Sequence, residues 1–232
     1  MAAQFIFFEG MRMKKRYLIK TVCILLAFLL VLPTAFAAAR AEAAQTNERE
    51  IYNYLAGVMG LNNAAACGVL ANIEIESGFD PHSVGDGGTS YGICQWHNSR
   101  FTALRNYCAA NGLDYTTLNG QLHFLQYELE RDFPKTTKIL REVPDTADGA
   151  YEAGYQWCYR FEVPAGYASG VSVSRGNRAR NIYWPVYADA VPQTPLQLAA
   201  AEAKNSPSFQ KMLLRIAELI RSVLSLISVK KG

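Results

Sequence analysis

The sequence is poor in the residues that mark several common classes of protein. Only 19% of its 232 residues are charged and half are hydrophobic, a balance typical of a globular domain and not of a disordered chain. Five cysteines occur, none in a Cys-x-x-Cys pair, so the sequence predicts no zinc site and no other metal site. It contains no visible internal repeat, and we expect no cofactor.

Long apolar runs are scarce, and the one near the N-terminus is short for a membrane-spanning helix. It occupies residues 21–32, follows a basic stretch at 12–20 and precedes a run of small residues that includes Ala37. This order predicts a signal peptide over residues 1–37 with cleavage near Ala37, and hence a protein secreted to the extracellular side of the cell envelope. An uncleaved segment that anchors the protein in the membrane is the alternative.

A basic stripe is also missing once that segment is set aside. Its removal takes five Lys or Arg residues and one glutamate from a chain of formal net charge +3, which leaves the rest near neutral. We therefore expect no nucleic-acid partner. Four cysteines remain, and in an exported protein they form either disulfides or buried thiols. They are Cys67, Cys94, Cys108 and Cys158.

Helical patterns dominate residues 47–189, which we interpret as one domain. Asn47 followed by Glu50 resembles a capping box and predicts the start of a helix. The stretch "AAACGVLANIEIES" after Asn63 is apolar on nearly every side, so it predicts a central helix that is packed all round. Gly78 is expected to end that helix.

A glycine-rich segment, residues 82–97, interrupts the helices. Its four glycines, an Asp-Gly turn signal and the β-favouring residues between Tyr91 and Trp96 predict a small hairpin. The fold class predicted for the domain is therefore mainly α (α+β), with a central buried helix and a small Gly-rich β-hairpin.

The C-terminal part of the sequence differs from the domain before it. Residues 190–206 are typical of a linker, and residues 207–230 have the pattern of an amphipathic helix. Such a helix fits contact with a membrane surface or with another protein. Docking on its own domain and a seam between copies of the chain are the alternatives.

Two glutamates stand near the end of the central helix, in "IEIESGFDP". The helix dipole disfavours a carboxylate there by about 0.3–1 kcal/mol, and burial among apolar neighbours disfavours the charged form further. Both effects keep the acid protonated nearer neutral pH, as a general acid for glycoside cleavage requires. Successive helical residues are about 100° apart, so Glu74 and Glu76 point in different directions. Glu76 lies nearer to the hairpin, and we predict that it is the catalytic one and that Glu74 is structural.

The segment "GVLANIEIESGFDPHSVGDGGTSYGICQWH" resembles the catalytic core of the phage tail lysozyme family, a branch of the goose-type lysozyme and lytic transglycosylase group. In that group the catalytic glutamate precedes a serine at the end of a core helix, as Glu76 precedes Ser77. A Gly-x-x-Gln stretch follows in a hairpin, as Gly92 to Gln95 does here, and the resemblance extends over residues 50–188. It implies a lysozyme-like fold and a muramidase that cleaves peptidoglycan glycan strands between N-acetylmuramic acid and N-acetylglucosamine.

Further residues of the cleft are expected around Glu76. Asp86 is the candidate second carboxylate, to hold a water or to stabilise positive charge, with a turn residue as its alternative. Ser77 is expected to brace the carboxyl of Glu76 or to cap backbone carbonyls. The residues expected to contact substrate are Ser77, Tyr91, Gln95, Trp96 and His97.

Each of these side chains has a specific expected role. Gln95 offers an amide to the sugar, and Tyr91 and Trp96 offer ring faces for stacking, although Trp96 also fits a core position. His97 is expected to bind substrate or to cap the next helix. Two other glutamates, Glu128 and Glu162, are expected to be structural ion-pair or hydrogen-bond partners, with Arg175 and Arg178 as candidates for the other side of the pair.

Three other functions stay open at this point. A lytic transglycosylase would act on the same bond through the same glutamate. A cysteine peptidase or amidase would use Cys94 or Cys67 as nucleophile with His97 or His123 as base. A non-catalytic wall-binding module would keep the fold without needing a carboxylic acid at a helix end.

Overall fold

The computed structural model describes residues 41–163, 169–193 and 197, and most of them are helical. The chain divides into two units, residues 1–48 and 49–232. No helix within the described part of the chain is long and apolar enough to cross a membrane.

Two of the expected segments lie outside the described residues. These are the signal segment, 1–37, and the amphipathic helix, 207–230. Of the expected linker, 190–206, only the first four residues and residue 197 are described.

Eight helices and three short strands make up the described fold. The helices are α1 (41–53), α2 (Asn63–Ser77), α3 (Ser99–Ala110), α4 (Leu118–Arg131), α5 (Pro134–Glu142), α6 (Ala147–Trp157), α7 (Ser169–Arg178) and α8 (Trp184–Tyr187). The strands are β1 (Val84–Gly85), β2 (Ser90–Tyr91) and β3 (Trp96–His97). Three π-helical turns extend α1, α6 and α7, namely Tyr54–Val58, Cys158–Glu162 and Ala179–Tyr183. The prediction of a mainly α (α+β) fold is confirmed.

The first helix begins earlier than predicted. Residues 41–53 are helical, so Asn47 lies inside α1 and the prediction that a capping box at Asn47 and Glu50 starts the helix is wrong. The residues before Asn47 include several alanines and a glutamate, which are strong helix formers and extend the helix toward the N-terminus.

The central helix α2 is buried along most of its length, as the sequence predicts. Asn62 caps its start by accepting a hydrogen bond from the backbone N–H of Ala65 at 2.8 Å. Gly78 closes its end with a φ of +61°. At Gly68 an added Cβ would lie 2.5 Å from the Cβ of Ala153, so this glycine lets α2 and α6 approach closely. This close packing against α6 positions α2, which carries the two glutamates in its last turns.

The predicted hairpin is a three-stranded antiparallel sheet in the order β1-β2-β3. Its register pairs Gly85 with Ser90 and Ser90 with His97. These three residues therefore lie side by side across the sheet. The additional strand arises because the chain turns again between Gly92 and Gln95, where Gln95 has a φ of +44°.

A buried glutamine on α4 fastens this sheet to the helices. Gln121 accepts a hydrogen bond from the backbone N–H of Ile93 at 2.9 Å and donates one to the carbonyl of Pro81 at 2.7 Å. Because Pro81, just before the glycine-rich segment, and Ile93, within it, both bond to one fully buried amide, the segment is fixed relative to α4.

No disulfide forms among the cysteines of the described residues. Cys67, Cys94, Cys108 and Cys158 are buried thiols. The sequence left disulfides and buried thiols open as alternatives, and in the structure these cysteines are buried thiols.

The start of the expected linker packs against the domain. The carbonyl of Ala190 accepts a hydrogen bond from the hydroxyl of Tyr52 at 2.8 Å, and the N–H of Gln193 donates to Asn53 at 2.9 Å. The chain is thus held to α1 at these residues.

Candidate active site

Glu76 lies in the last turn of α2, where it is held by one arginine of α7. Arg175 donates a hydrogen bond from Nη2 to Oε1 of Glu76 at 2.7 Å, and the two side chains are 13% and 24% exposed respectively. Burial raises the pKa of Glu76, the charge and hydrogen bond of Arg175 oppose this rise, and the negative charge of Asp86 adds to it. The pKa of Glu76 therefore lies above its ordinary value of 4.5.

The pKa of Glu74, two residues earlier, is shifted in the opposite direction. Arg178 donates two hydrogen bonds to its carboxylate, one to each oxygen, and the hydroxyl of Tyr183 donates a third. Burial acts to raise the pKa of Glu74, but these hydrogen bonds and the charges of Arg178 and Arg175 outweigh it, so the pKa is lowered. Glu74 is therefore a carboxylate that stays ionised.

Both glutamates reach the same helix, although they point in different directions from α2. Arg175 and Arg178 are three positions apart and lie on one face of α7. Their long side chains allow one helix to hold both carboxylates. The two arginines thus pair with Glu76 and Glu74. Glu128 and Glu162 do have structural partners, but these are Arg100 and Trp157 and not the two candidate arginines.

Asp86 belongs to a hydrogen-bonded cluster on the sheet. The hydroxyl of Ser90 donates to Oδ2 of Asp86 at 2.5 Å, and Nδ1 of His97 lies 3.0 Å from the same hydroxyl oxygen and 3.6 Å from Oδ2. The hydroxyl of Ser90 has one proton, which it donates to Asp86. Its hydrogen bond with His97 therefore runs the other way, with Nδ1–H of His97 as the donor. Asp86 has a φ of +49°, and its side chain is 69% exposed.

A third carboxylate lies close enough to Glu76 to interact with it. Glu162 ends the π-helical turn after α6 and accepts a hydrogen bond from the indole N–H of Trp157 at 2.8 Å. Burial and the negative charge of Glu76 raise the pKa of Glu162. From the sequence we expected only a structural role for Glu162. The signal that singled out Glu76, a glutamate at the C-terminal end of an apolar helix, applies to Glu162 as well.

The comparison with protein families covers the part of the chain that contains this site. The model of the family described as phage tail lysozyme matches residues 46–184, which is more than half of the chain. The chain belongs to the phage tail lysozyme family. A search of curated proteins returns no match at the significance required. Membership makes the protein a lysozyme-like, cell-wall-degrading glycosidase with peptidoglycan as its substrate, and the matched residues include all the carboxylates described above.

One residue expected to bind sugar in this lysozyme-family domain lies in its core. Trp96 is fully buried and donates from its indole N–H to Glu128 at 2.8 Å. Arg100 donates two further hydrogen bonds to Glu128, at 2.7 and 3.0 Å. The expectation that the ring of Trp96 stacks on a sugar is therefore corrected: the ring has no exposed face, and its N–H completes a buried ion pair.

The side chains of Ser77 and Gln95 form hydrogen bonds with backbone carbonyls. The hydroxyl of Ser77 is buried and lies 3.1 Å from the carbonyl of Ile73 and 3.0 Å from that of Ile93, so it caps carbonyls and does not brace Glu76. The amide nitrogen of Gln95 donates to the carbonyls of Ser83 and Gly92, at 3.1 and 2.9 Å. Of the Gln95 amide, the oxygen alone remains to accept a hydrogen bond from a sugar.

Tyr91 and His97 keep part of their surface exposed. Tyr91 stacks on Phe101 with ring centroids 5.0 Å apart, which covers one face of its ring. His97 lies in the Asp86 cluster, and its side chain accepts no hydrogen bond from the backbone N–H groups at the start of α3. Of the residues expected to contact substrate, these two are therefore the ones that offer a ring at the surface.

The cysteines do not suit nucleophilic catalysis. Burial raises the pKa of Cys94 well above its ordinary value, and Cys67 is fully buried. A thiol in such surroundings is a poor nucleophile because the thiolate is disfavoured. Within the described residues, no group of three or more His, Cys, Asp or Glu side chains is arranged to hold a metal ion.

Proposed function

We propose that Glu76 is the general acid of a muramidase that cleaves the β-1,4 bond between N-acetylmuramic acid and N-acetylglucosamine. One observation carries this proposal. Of the two glutamates at the end of α2, Glu76 has a raised pKa and Glu74 a lowered one. A general acid must hold a proton near the working pH, and Glu76 satisfies this condition where Glu74 does not.

The hydrogen bond from Arg175 orients the acid. Because Arg175 donates to Oε1 of Glu76, Oε2 is the oxygen that carries the proton. Transfer of that proton to the glycosidic oxygen breaks the bond to C1 and leaves an oxocarbenium-like sugar. Asp86 is the second carboxylate, which stabilises this positive charge or holds the attacking water. Water then adds its hydroxyl to C1, and its proton passes either to the carboxylate of Glu76, which lost its own proton to the leaving oxygen, or to that of Asp86.

A lytic transglycosylase that acts on the same bond is the second candidate. The observation in its favour is that the carboxylate of Asp86 is already engaged by Ser90 and lies beside His97. A transglycosylase needs no second carboxylate, because the 6-hydroxyl of the muramic acid attacks C1 and closes an anhydro ring. Glu76 would then first give its proton to the leaving oxygen and afterwards take one from that hydroxyl.

Digestion of purified peptidoglycan tests the proposal. Wild type should release fragments that end in reducing N-acetylmuramic acid, Glu76→Gln should release none, and Glu74→Gln is the matched control that should remain active. Anhydro ends in the mass spectrum would show that the protein is a transglycosylase and not a hydrolase. Fragments released equally by wild type and Glu76→Gln would refute the role of Glu76.

We also propose that the protein is exported. The support is the order of basic, apolar and small residues in 1–37, together with a substrate that lies outside the cytoplasmic membrane. Sequencing of the N-terminus of the exported protein should find it just after Ala37. An intact N-terminus in the membrane fraction would favour the anchored alternative.

A further inference from the structure

A cavity of about 460 Å³ opens where the start of α5 meets the end of the π-helical turn that follows α6. Its volume falls within the range of small-ligand sites. Apolar and charged side chains both line it. The apolar ones are Phe133, Tyr159 and Val163, and the charged ones are Asp132, Lys135 and Arg160.

The apolar wall of this cavity is held in place by its neighbours. Phe133 packs edge-on against Phe161 with ring centroids 4.9 Å apart. Tyr159 stacks on Tyr155 with centroids 6.2 Å apart and ring planes at 19°. Tyr159 and Val163 nevertheless remain 46% and 45% exposed. The rings therefore form a preorganised surface for small apolar groups.

The charged side chains give the cavity a net positive charge. The carboxylate of Asp132 accepts hydrogen bonds from Nε and Nη2 of Arg131, at 2.8 and 2.7 Å, so its charge is already matched. Arg160 donates from Nε to the neutral amide of Gln156 at 2.6 Å, and it forms no ion pair with a carboxylate of the described residues. With Lys135, this arginine makes the cavity suited to an anionic ligand.

The cavity adjoins the proposed active site along the chain. Val163 directly follows Glu162, whose carboxylate interacts electrostatically with Glu76. A glycan strand with its scissile bond at Glu76 carries a stem peptide on its muramic acid. That peptide combines alanine methyl groups with free carboxylates, which match the apolar and the cationic sides of the cavity.

We propose that this cavity binds the acidic stem peptide of peptidoglycan, with the alanine methyl groups on Phe133 and Tyr159 and the carboxylates at Lys135 and Arg160. The proposal rests on the proposed function, because it takes the glycan strand at Glu76 as given. The protein then recognises the peptide-bearing strand and not only its sugars.

Binding measurements on the full-length protein test this inference apart from catalysis. The probes are soluble, uncross-linked glycan strands with their stem peptides, and the same strands after an amidase has removed the peptides. Each is titrated by calorimetry into Glu76→Gln, which preserves the strands, and into Glu76→Gln that also carries Lys135→Gln and Arg160→Gln. Lys138→Gln in the Glu76→Gln background is the matched control, because Lys138 lies on α5 but does not line this cavity.

The two probes should respond differently. Loss of both cations should weaken binding of the peptide-bearing strands about tenfold, equivalent to roughly 1.4 kcal/mol, and leave binding of the stripped strands unchanged. The Lys138→Gln control should bind both probes as its parent does. Equal weakening for both probes, or none for the peptide-bearing strands, would overturn the inference. Neither of these two results bears on the role of Glu76, which the digestion experiment tests separately.

Discussion

Arg175 donates a hydrogen bond to Glu76, yet the pKa of Glu76 stays above its ordinary value. The neighbouring pair shows why this is unusual: Glu74 receives two hydrogen bonds from Arg178 and one from Tyr183, and its pKa falls. A single donor, deeper burial and the charge of Asp86 leave Glu76 able to hold a proton. One helix, α7, thus holds one carboxylate ionised and another ready to donate.

Replacement of Glu74 should affect stability more than activity. Its lowered pKa stabilises the folded protein above the ordinary value of 4.5, and this stability is lost as the pH falls below it. Glu74→Gln should therefore lower the free energy of unfolding by about 1–2 kcal/mol near neutral pH and by less in acid, after allowance for solvent screening. Denaturant titrations at both pH values check this. Loss of activity with an unchanged unfolding curve would show that Glu74, not Glu76, does the chemistry.

Glu162 should destabilise the folded protein as the pH rises. Its raised pKa means that the folded state binds its proton more tightly than the unfolded state, so stability is greatest below 4.5 and declines as the pH climbs through the raised pKa. Glu162→Gln keeps an acceptor for Trp157 and has no charge to bury. Its Tm relative to wild type should increase between about pH 5 and about pH 9. A Tm difference that stays constant over this range would contradict the buried, proton-binding state of Glu162.

Much of the fold follows from local patterns. The stop at Gly78, the apolar surface of α2 and the glycine-rich segment at 82–97 are visible in the sequence, and the structure has them where they were predicted. The start of α1 was missed because alanine-rich helix propensity continues past the apparent cap at Asn47.

The site was harder to predict, because its geometry depends on contacts between distant residues. Trp96 lies in a stretch that favours strands, but only the packing of α4 behind it places Glu128 against its N–H. The partners of Glu74 and Glu76 come from α7, about 100 residues later, and side-chain reach decided the pairing. Periodicity gave the directions of the two glutamates but not their electrostatic states.

Ser90 should position Asp86. Its buried hydroxyl lies between Asp86 and His97, so Ser90→Ala removes the hydrogen bond that orients the carboxylate. We expect kcat to fall about tenfold while KM changes little. The same substitution in an Asp86→Asn background should have almost no further effect. Full additivity of the two substitutions would mean that Ser90 acts independently of Asp86.

Trp96→Phe should weaken the fold and spare substrate binding. The substitution removes the indole N–H that Glu128 accepts, while the ion pair of Glu128 with Arg100 persists. The free energy of unfolding should fall by about 1–3 kcal/mol, measured by denaturant titration. KM on soluble glycan strands should not change. A raised KM with unchanged stability would instead place the ring in contact with sugar.

The dependence of kcat/KM on pH in three proteins tests the central claim, that protonated Glu76 is the acid, most directly. The alkaline limb in wild type should follow the raised pKa of Glu76, because activity is lost when the proton leaves. Asp86→Asn removes a negative charge that raises this pKa, so the limb should move to lower pH. Arg175→Gln removes a positive charge that lowers it, so the limb should move to higher pH. An alkaline limb that stays at the same pH in both variants would contradict the assignment of Glu76 as the proton donor.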